Sequence, residues 1–187
     1  MPRPNWFLAF PIAGTFVLEL PPLPSNFRPF HPEDVHLTLA FLGGCGEPAA
    51  LRALAALDAS LSRSSVSAIS ASLGSVVPMG GSKTTYSNLS ALLEEGRAEA
   101  SACLAALRDV LTEAATGRRE RRPPKPHVSI ARVRTRATPS DRQAGLAWAA
   151  QLNLRAERAQ LDRIALYTWS EKRHDRLFQI VAERRLG

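Results

Sequence analysis

The chain has little cysteine and no long hydrophobic run. Its two cysteines, Cys45 and Cys103, lack any Cys-x-x-Cys or Cys/His ligand spacing among the 187 residues. This content excludes a disulfide framework and is typical of a reduced cytoplasmic protein. No apolar segment is long enough to cross a bilayer, so no membrane association is expected. Residues 6–18 superficially resemble a signal peptide, but Pro11 breaks this stretch and Glu19 follows it closely, and we interpret residues 7–11 as a core strand.

Acidic residues are scarce beside basic ones, and the excess of basic charge is local. The formal net charge is +7, from 24 Lys and Arg against 17 Asp and Glu. The net charge of a single segment, residues 118–136, equals that of the whole chain, because Glu120 is its only acidic residue. Its eight basic residues are Arg118, Arg119, Arg121, Arg122, Lys125, Arg132, Arg134 and Arg136. Such a segment is often only a solvated loop, but it is also what a phosphorylated or polyanionic ligand requires.

Hydrophobic patterning predicts a single α+β domain over residues 1–187. Strands are predicted at 6–11, 35–42, 66–77, 86–92, 126–133, 161–169 and 177–182, and helices at 48–62, 94–115 and 139–152. Thr138 and Pro139 give the third helix a capped start. The order of elements suggests two similar half-units, neither stable alone, so we expect two antiparallel sheets lining a central cleft with helices on the outer faces.

Two short motifs are the most informative feature of the chain. His36-Leu37-Thr38-Leu39 returns as His127-Val128-Ser129-Ile130, each copy within an apolar run that is typical of a buried strand. Side chains alternate along a strand, so each copy places one imidazole and one hydroxyl on a polar face and two aliphatic residues towards a core. Two such copies, face to face, would put a histidine on each side of a bound anion.

A lone histidine in an apolar strand is more often structural than catalytic, and the doubling is what favours catalysis. The other two histidines lack a hydroxyl partner in such a frame: His31 precedes Pro32 in an irregular stretch, and His174 lies in a charged turn. We predict that both are surface residues. His36 and His127 are the candidate catalytic residues, because an imidazole titrates near neutral pH and can act as an acid or a base.

The residues around these motifs resemble the two-histidine phosphoesterases, and among them the RNA 2',3'-cyclic phosphodiesterases, historically called 2'-5' RNA ligases. Residues 32–43 resemble the first signature, 125–133 the second, and 164–167 with Ser170 the C-terminal strand. The resemblance implies a bilobal, pseudo-twofold fold. It also implies hydrolysis of a terminal 2',3'-cyclic phosphate of RNA to a 2'-phosphate, without metal or other cofactor, and weak 2'-5' ligation when a 5'-hydroxyl replaces water.

The resemblance also implies roles for individual residues. His127 would activate water and His36 would protonate the 3'-oxygen, although the symmetry of the motifs alone leaves the two assignments open. Thr38 and Ser129 would donate to the phosphate oxygens, with Ser129 standing where threonine is more usual. Arg132 would add charge, but strict alternation from His127 sends it to the opposite face, so a bulge is required.

The partner expected from the resemblance is an RNA with a 2',3'-cyclic phosphate end, bound by a cytoplasmic monomer. Tyr167 and Trp169 are candidates to stack on a nucleobase, although aromatic residues in strands are more often core. Residues 12–30 are short and Pro-rich where the family usually has a helix, which would leave that edge of the groove open. Three alternatives stay open: a 2'-5' oligonucleotide or small cyclic nucleotide phosphodiesterase, a non-catalytic RNA-binding module, and a metallohydrolase.

Overall fold

The computed structural model describes residues 3–64, 66–120 and 122–187, and Arg121 of the basic segment lies outside the described residues. Within them the strands are β1 (Trp6–Pro11), β2 (Phe27–Pro29), β3 (His36–Gly43), β4 (Ile69–Met79), β5 (Asn88–Leu93), β6 (His127–Val133), β7 (Arg158–Leu161), β8 (Arg163–Trp169) and β9 (Phe178–Arg185). The helices are α1 (Glu47–Arg63), α2 (Arg97–Thr116) and α3 (Pro139–Ala150). None of the helices in these ranges is both long enough and apolar enough to span a membrane.

The strands form one curled antiparallel sheet in the order β7-β4-β5-β6-β3-β1-β8-β9, with β2 paired to β6. The two halves of the sheet meet where β3 pairs with β6, through the residue pair Leu37 and Val128. The predicted α+β fold is confirmed, and the two predicted sheets are continuous at this point. The two motif strands are therefore neighbours at the centre of the molecule.

The sheet has a helix-covered face and a groove face. Alternate residues of β1 show the division, because Leu8 and Phe10 belong to the main core while Phe7 and Ala9 join Ala165 and Tyr167 in a separate cluster. Leu37 also belongs to the main core, together with the apolar residues of α1 and α2. The side chains that alternate with Leu37 in β3 consequently lie on the groove face.

The predicted elements match the observed ones closely, with local differences. The capped start of α3 is confirmed, since the Thr138 hydroxyl accepts from the Asp141 amide at 3.1 Å and the Asp141 carboxylate accepts from the Thr138 amide at 2.8 Å. The single strand predicted at 161–169 is two strands, β7 and β8, because exposed Asp162 separates them. The Pro-rich stretch also contributes β2, which pairs along β6.

Candidate active site

The pairing of Leu37 with Val128 fixes the arrangement of the four motif side chains. In an antiparallel ladder the neighbours of a pair also face each other, so His36 lies opposite Ser129 and Thr38 lies opposite His127. Each histidine therefore faces the hydroxyl of the other strand. The two histidines are diagonal neighbours, a relation that places the two residues about 7–8 Å apart, with their Cβ atoms somewhat closer, and leaves room for one phosphate group between the rings. We call these four residues the histidine square.

Both motif strands carry a bulge directly after the square. In β3 the register passes from Thr38 to Ala40, and in β6 from Ser129 to Ala131, with one extra residue in each strand. The extra residue and its successor are both buried, which breaks the alternation of faces. The bulge that the sequence requires for Arg132 is therefore present, and it returns Arg132 to the groove face. In β3 the same bulge returns Phe41 to that face.

Each imidazole is oriented by the backbone two residues before it. Nδ1 of His36 donates to the carbonyl oxygen of Asp34 at 2.7 Å, and Nδ1 of His127 donates to the carbonyl oxygen of Lys125 at 2.6 Å. A carbonyl oxygen only accepts, so Nδ1 carries the hydrogen in both rings. Nε2 is then the nitrogen that is left to exchange a proton with a ligand in each ring.

His36 is packed among aromatic rings, with its ring centroid 4.8 Å from that of Phe7, 5.5 Å from Tyr167 and 5.6 Å from Phe178. Burial lowers the pKa of His36 to about 4, the hydrogen bond to Asp34 partly offsets this, and the nearby His127 lowers it further. Burial also lowers the pKa of His127, against the effect of its bond to the Lys125 carbonyl. Both rings are neutral at pH 7 in the free protein, and a bound anion would favour their protonation.

Ser129 has a hydroxyl partner that the sequence analysis missed. The Oγ atoms of Ser129 and Ser90 lie 3.0 Å apart, and Ser90 is fully buried at the position of β5 that pairs with Ser129. Buried polar groups nearly always keep a hydrogen-bond partner, so this contact restricts the orientation of the Ser129 hydroxyl. The available signal was a serine inside the otherwise apolar run 89–93.

Arg132 lies among other arginines at one end of the histidine square. Burial lowers the pKa of its guanidinium, the positive charges of Arg28 and Arg173 lower it further, and Asp34 partly compensates. Arg173 also lies over the ring of Trp169, with its guanidinium carbon 3.9 Å from the ring centroid. Arg132, Arg173 and Trp169 line a cleft of about 390 Å³, which suits an anionic group with an attached planar ring.

The two aromatic candidates have different positions. Trp169 is half-buried and lines the cleft, so it remains a candidate to stack on a base. Tyr167 does not line this cleft. It is 1% exposed, and its ring is stacked on that of Phe7 at a centroid distance of 4.9 Å and an interplanar angle of 4°. The stacking role predicted for Tyr167 is corrected to packing behind His36, because its side chain has almost no exposed surface.

Asp34 is a second residue that the sequence analysis missed. Its side chain is buried, and its carboxylate accepts from the backbone amides of Leu177 at 2.7 Å and Phe178 at 3.0 Å. Asp34 thereby ties the connection between β8 and β9 to the residue whose carbonyl orients His36. A charged residue two positions before the first histidine was the only sequence signal.

The remaining candidates are surface groups. His31 is exposed and His174 has 79% of its side chain exposed, as predicted for both. Within the basic segment, Arg119 pairs with Glu113 at 2.8 Å and Arg122 with Glu120 at 2.9 Å. Lys125 is exposed beside His127. Among the residues that the structure describes, no group of three or more His, Cys, Asp or Glu is placed to hold a metal ion.

Comparisons with known proteins agree with this architecture. The family model of the 2'-5' RNA ligase superfamily matches residues 24–173. Escherichia coli LigT complexed with 3'-AMP has 16% identity and a TM-score of 0.67, and the match covers 100% of this chain and 99% of LigT. The Thermus thermophilus protein TT0787 has 23% identity and a TM-score of 0.66, covering 97% of each chain.

A more distant likeness is to Usb1 of Kluyveromyces marxianus, with 13% identity and a TM-score of 0.54, covering 87% of this chain and 92% of Usb1. At these identities the solved structures show a shared fold alone. No curated protein matches the sequence significantly. The family match spans both histidine motifs and most of the chain. The chain therefore belongs to the 2'-5' RNA ligase superfamily, a group of two-histidine phosphoesterases and ligases that act on RNA.

Proposed function

We propose that the protein hydrolyses the terminal 2',3'-cyclic phosphate of RNA to a 2'-phosphate, without a metal ion or other cofactor. The observation that carries the proposal is the histidine square, with both Nδ1 atoms committed to backbone carbonyls at 2.7 and 2.6 Å. Two proton-transfer groups and two hydroxyl donors then surround one phosphate position. Membership of the superfamily and the arginine-lined cleft support the same reaction.

The reaction needs an in-line attack of water on phosphorus and departure of the 3'-oxygen. His127 takes a proton from the attacking water through Nε2 while the new P–O bond forms. The bond between phosphorus and the 3'-oxygen breaks, and His36 donates its Nε2 proton to that oxygen. Thr38, Ser129 and Arg132 donate to the non-bridging oxygens, where negative charge accumulates.

The environment of His36 suits the role of the general acid. Its pKa of about 4 in the free protein means that it must gain a proton when the anionic phosphate binds. An imidazolium with a low intrinsic pKa is a strong proton donor, which helps the 3'-oxygen to leave. The same geometry with an RNA 5'-hydroxyl in place of water forms a 2'-5' linkage. Hydrolysis dominates because water is the far more abundant nucleophile.

The test is hydrolysis of an RNA oligonucleotide ending in a 2',3'-cyclic phosphate, in excess EDTA, by wild type, His36→Asn and His127→Asn. Asparagine places an amide donor near the position of Nδ1 but has nothing at Nε2, so the backbone hydrogen bond can survive while proton transfer is lost. We expect kcat to fall by about 10²–10⁴-fold in each variant. His174→Asn, at the exposed turn, is the matched control and keeps wild-type activity.

The position of the phosphate in the product, determined by ³¹P NMR, completes the test. A 2'-phosphate formed in EDTA and lost in both variants supports the proposal. Formation of a 3'-phosphate, or activity that EDTA abolishes, contradicts it. RNA binding without any opening of the cyclic phosphate by wild type favours the non-catalytic RNA-binding alternative instead.

A further inference from the structure

Phe41 is a large aromatic residue that the proposed reaction leaves unused. It is 60% exposed, although β3 lies in the middle of the sheet. The bulge after Thr38 turns its side chain to the groove face, at the position in the first motif strand that corresponds to Arg132 in the second. An exposed aromatic in the lining of a groove is a candidate contact for a ligand.

Phe41 and Arg132 lie at opposite ends of the histidine square. The two motif strands are antiparallel, so continuing along β3 leads past Thr38 and His127 to Phe41. Continuing along β6 leads past Ser129 and His36 to Arg132. The groove therefore extends from the reaction centre in two directions, one ending among the arginines and Trp169 and the other at Phe41.

The Phe41 end is a cleft of about 320 Å³ that opens directly from the reaction centre, because Thr38 and His127 are part of its lining. Met79 is also part of this lining. An apolar surface at this place suits a planar base in a strand whose phosphate is held at the square. We call this region the Phe41 cleft.

The charged residues of the Phe41 cleft give it a positive balance. Arg108, Arg122 and Lys125 line it together with a single acidic residue, Glu120. The carboxylate of Glu120 is already occupied, since it accepts from the Arg122 guanidinium at 3.1 and 2.9 Å. Lys125 is exposed, and its backbone carbonyl is the one that orients His127. The Glu120–Arg122 pair cancels, so Arg108 and Lys125 carry the positive balance of the cleft. An aromatic surface beside such cations is the composition of sites that bind single-stranded nucleic acid.

We infer that the Phe41 cleft binds the penultimate nucleotide of the RNA, with its base stacked on Phe41 and the phosphate that joins it to the terminal nucleotide close to Lys125. The inference rests on the proposed function, because it takes the terminal cyclic phosphate to lie in the histidine square. It adds a substrate class: an RNA end of at least two nucleotides, in preference to a mononucleotide 2',3'-cyclic phosphate.

Binding of product-like ligands tests the inference without turnover. The ligands are a dinucleotide with a terminal 2'-phosphate and the corresponding mononucleotide 2'-phosphate, measured by titration calorimetry with the full chain. Stacking of one base predicts that wild type binds the dinucleotide about tenfold more tightly or better. Phe41→Ala should bring this ratio close to one, and Phe41→Trp should keep it.

Two further variants separate stacking from charge and from a general surface effect. Lys125→Gln should weaken dinucleotide binding and reduce the slope of log affinity against log salt concentration by about one. Leu18→Ala removes another exposed hydrophobic side chain, 71% exposed and outside the groove lining described above, and should keep the wild-type ratio.

The inference is overturned if wild type binds the two ligands equally, or if Phe41→Ala keeps the wild-type preference. Turnover of the matching cyclic phosphates, measured in parallel, tests the proposed function independently of this inference. If the protein prefers the dinucleotide through Phe41 but opens no cyclic phosphate, the inference about the Phe41 cleft stands and the proposed function is wrong. If it opens both cyclic phosphates without any dependence on Phe41, the proposed function stands and the inference about the cleft is wrong.

Discussion

The burial of His36 predicts a specific dependence of stability on pH. Its pKa falls from the ordinary value of 6.5 to about 4 in the folded protein, chiefly through desolvation among the groove aromatics. As the pH falls below 6.5, the unfolded chain takes up a proton at this residue while the folded protein does not. The stability that neutral His36 permits is therefore complete above pH 6.5 and is lost progressively between pH 6.5 and pH 4.

The size of the effect follows from the two pKa values. A shift from 6.5 to about 4 corresponds at most to about 3 kcal/mol in the free energy of unfolding, and about 2 kcal/mol of it is lost between pH 7 and pH 5. The ring is partly exposed to the groove, so these figures are upper limits. An effect of about 2 kcal/mol is a large fraction of the stability of a typical domain.

Urea unfolding at pH 7 and at pH 5 measures the effect, with wild type, His36→Asn and His174→Asn compared under the same conditions. Other titrating groups contribute to the loss of stability at low pH, but their contributions cancel when the losses of two variants are compared. We expect the loss in His36→Asn to be smaller than that in wild type by about 2 kcal/mol. His174→Asn retains the His36 contribution. Equal losses in wild type and His36→Asn would refute the reasoning from burial.

Three further predictions concern the groups around the square. Asp34→Asn removes the negative charge that holds the Leu177 and Phe178 amides, so the free energy of unfolding should fall by about 1–3 kcal/mol. Hydrogen exchange at both amides should accelerate, and unchanged exchange would contradict the stabilising role of these hydrogen bonds. Ser90→Ala leaves the Ser129 hydroxyl without its partner at 3.0 Å, so kcat should fall by about 2- to 10-fold. A normal kcat would show that Ser129 needs no orientation by Ser90. Binding of a 2'-phosphate at pH 7 can be measured by calorimetry in buffers with different ionisation enthalpies. Wild type should take up about one proton on binding and His36→Asn less, because the bound anion raises the pKa of His36. Identical uptake in both proteins would show that the proton binds elsewhere.

Local patterns in the sequence predict much of the fold and part of the site. Alternation in the two motif strands places His36 with Thr38, and His127 with Ser129, because side-chain direction in a strand depends only on neighbouring residues. The helices follow from their apolar spacing in the same way. The need for a bulge before Arg132 also follows from counting residues, and the register of β6 contains that bulge.

The rest of the site depends on residues that are distant in the chain. Ser90 orients Ser129 across 39 positions, and the Asp34 carboxylate holds amides 143 and 144 positions away. No periodicity in the sequence connects such pairs. The prediction for Tyr167 was wrong for the same reason, because the sequence around an aromatic residue in a strand does not show whether the ring faces a ligand or packs behind a histidine.

The sequence by itself determined two histidine-hydroxyl pairs in matching apolar frames, separated by 91 residues, and the secondary structure that carries them. The tertiary structure alone decided that β3 and β6 are neighbours, that each histidine faces the hydroxyl of the other strand, and that the groove runs past the square to Arg132 on one side and Phe41 on the other. It also decided the low pKa of His36, since desolvation depends on the rings that three other strands bring against it. Backbone alternation is a local property of a chain, whereas burial and strand pairing arise only when distant segments pack together.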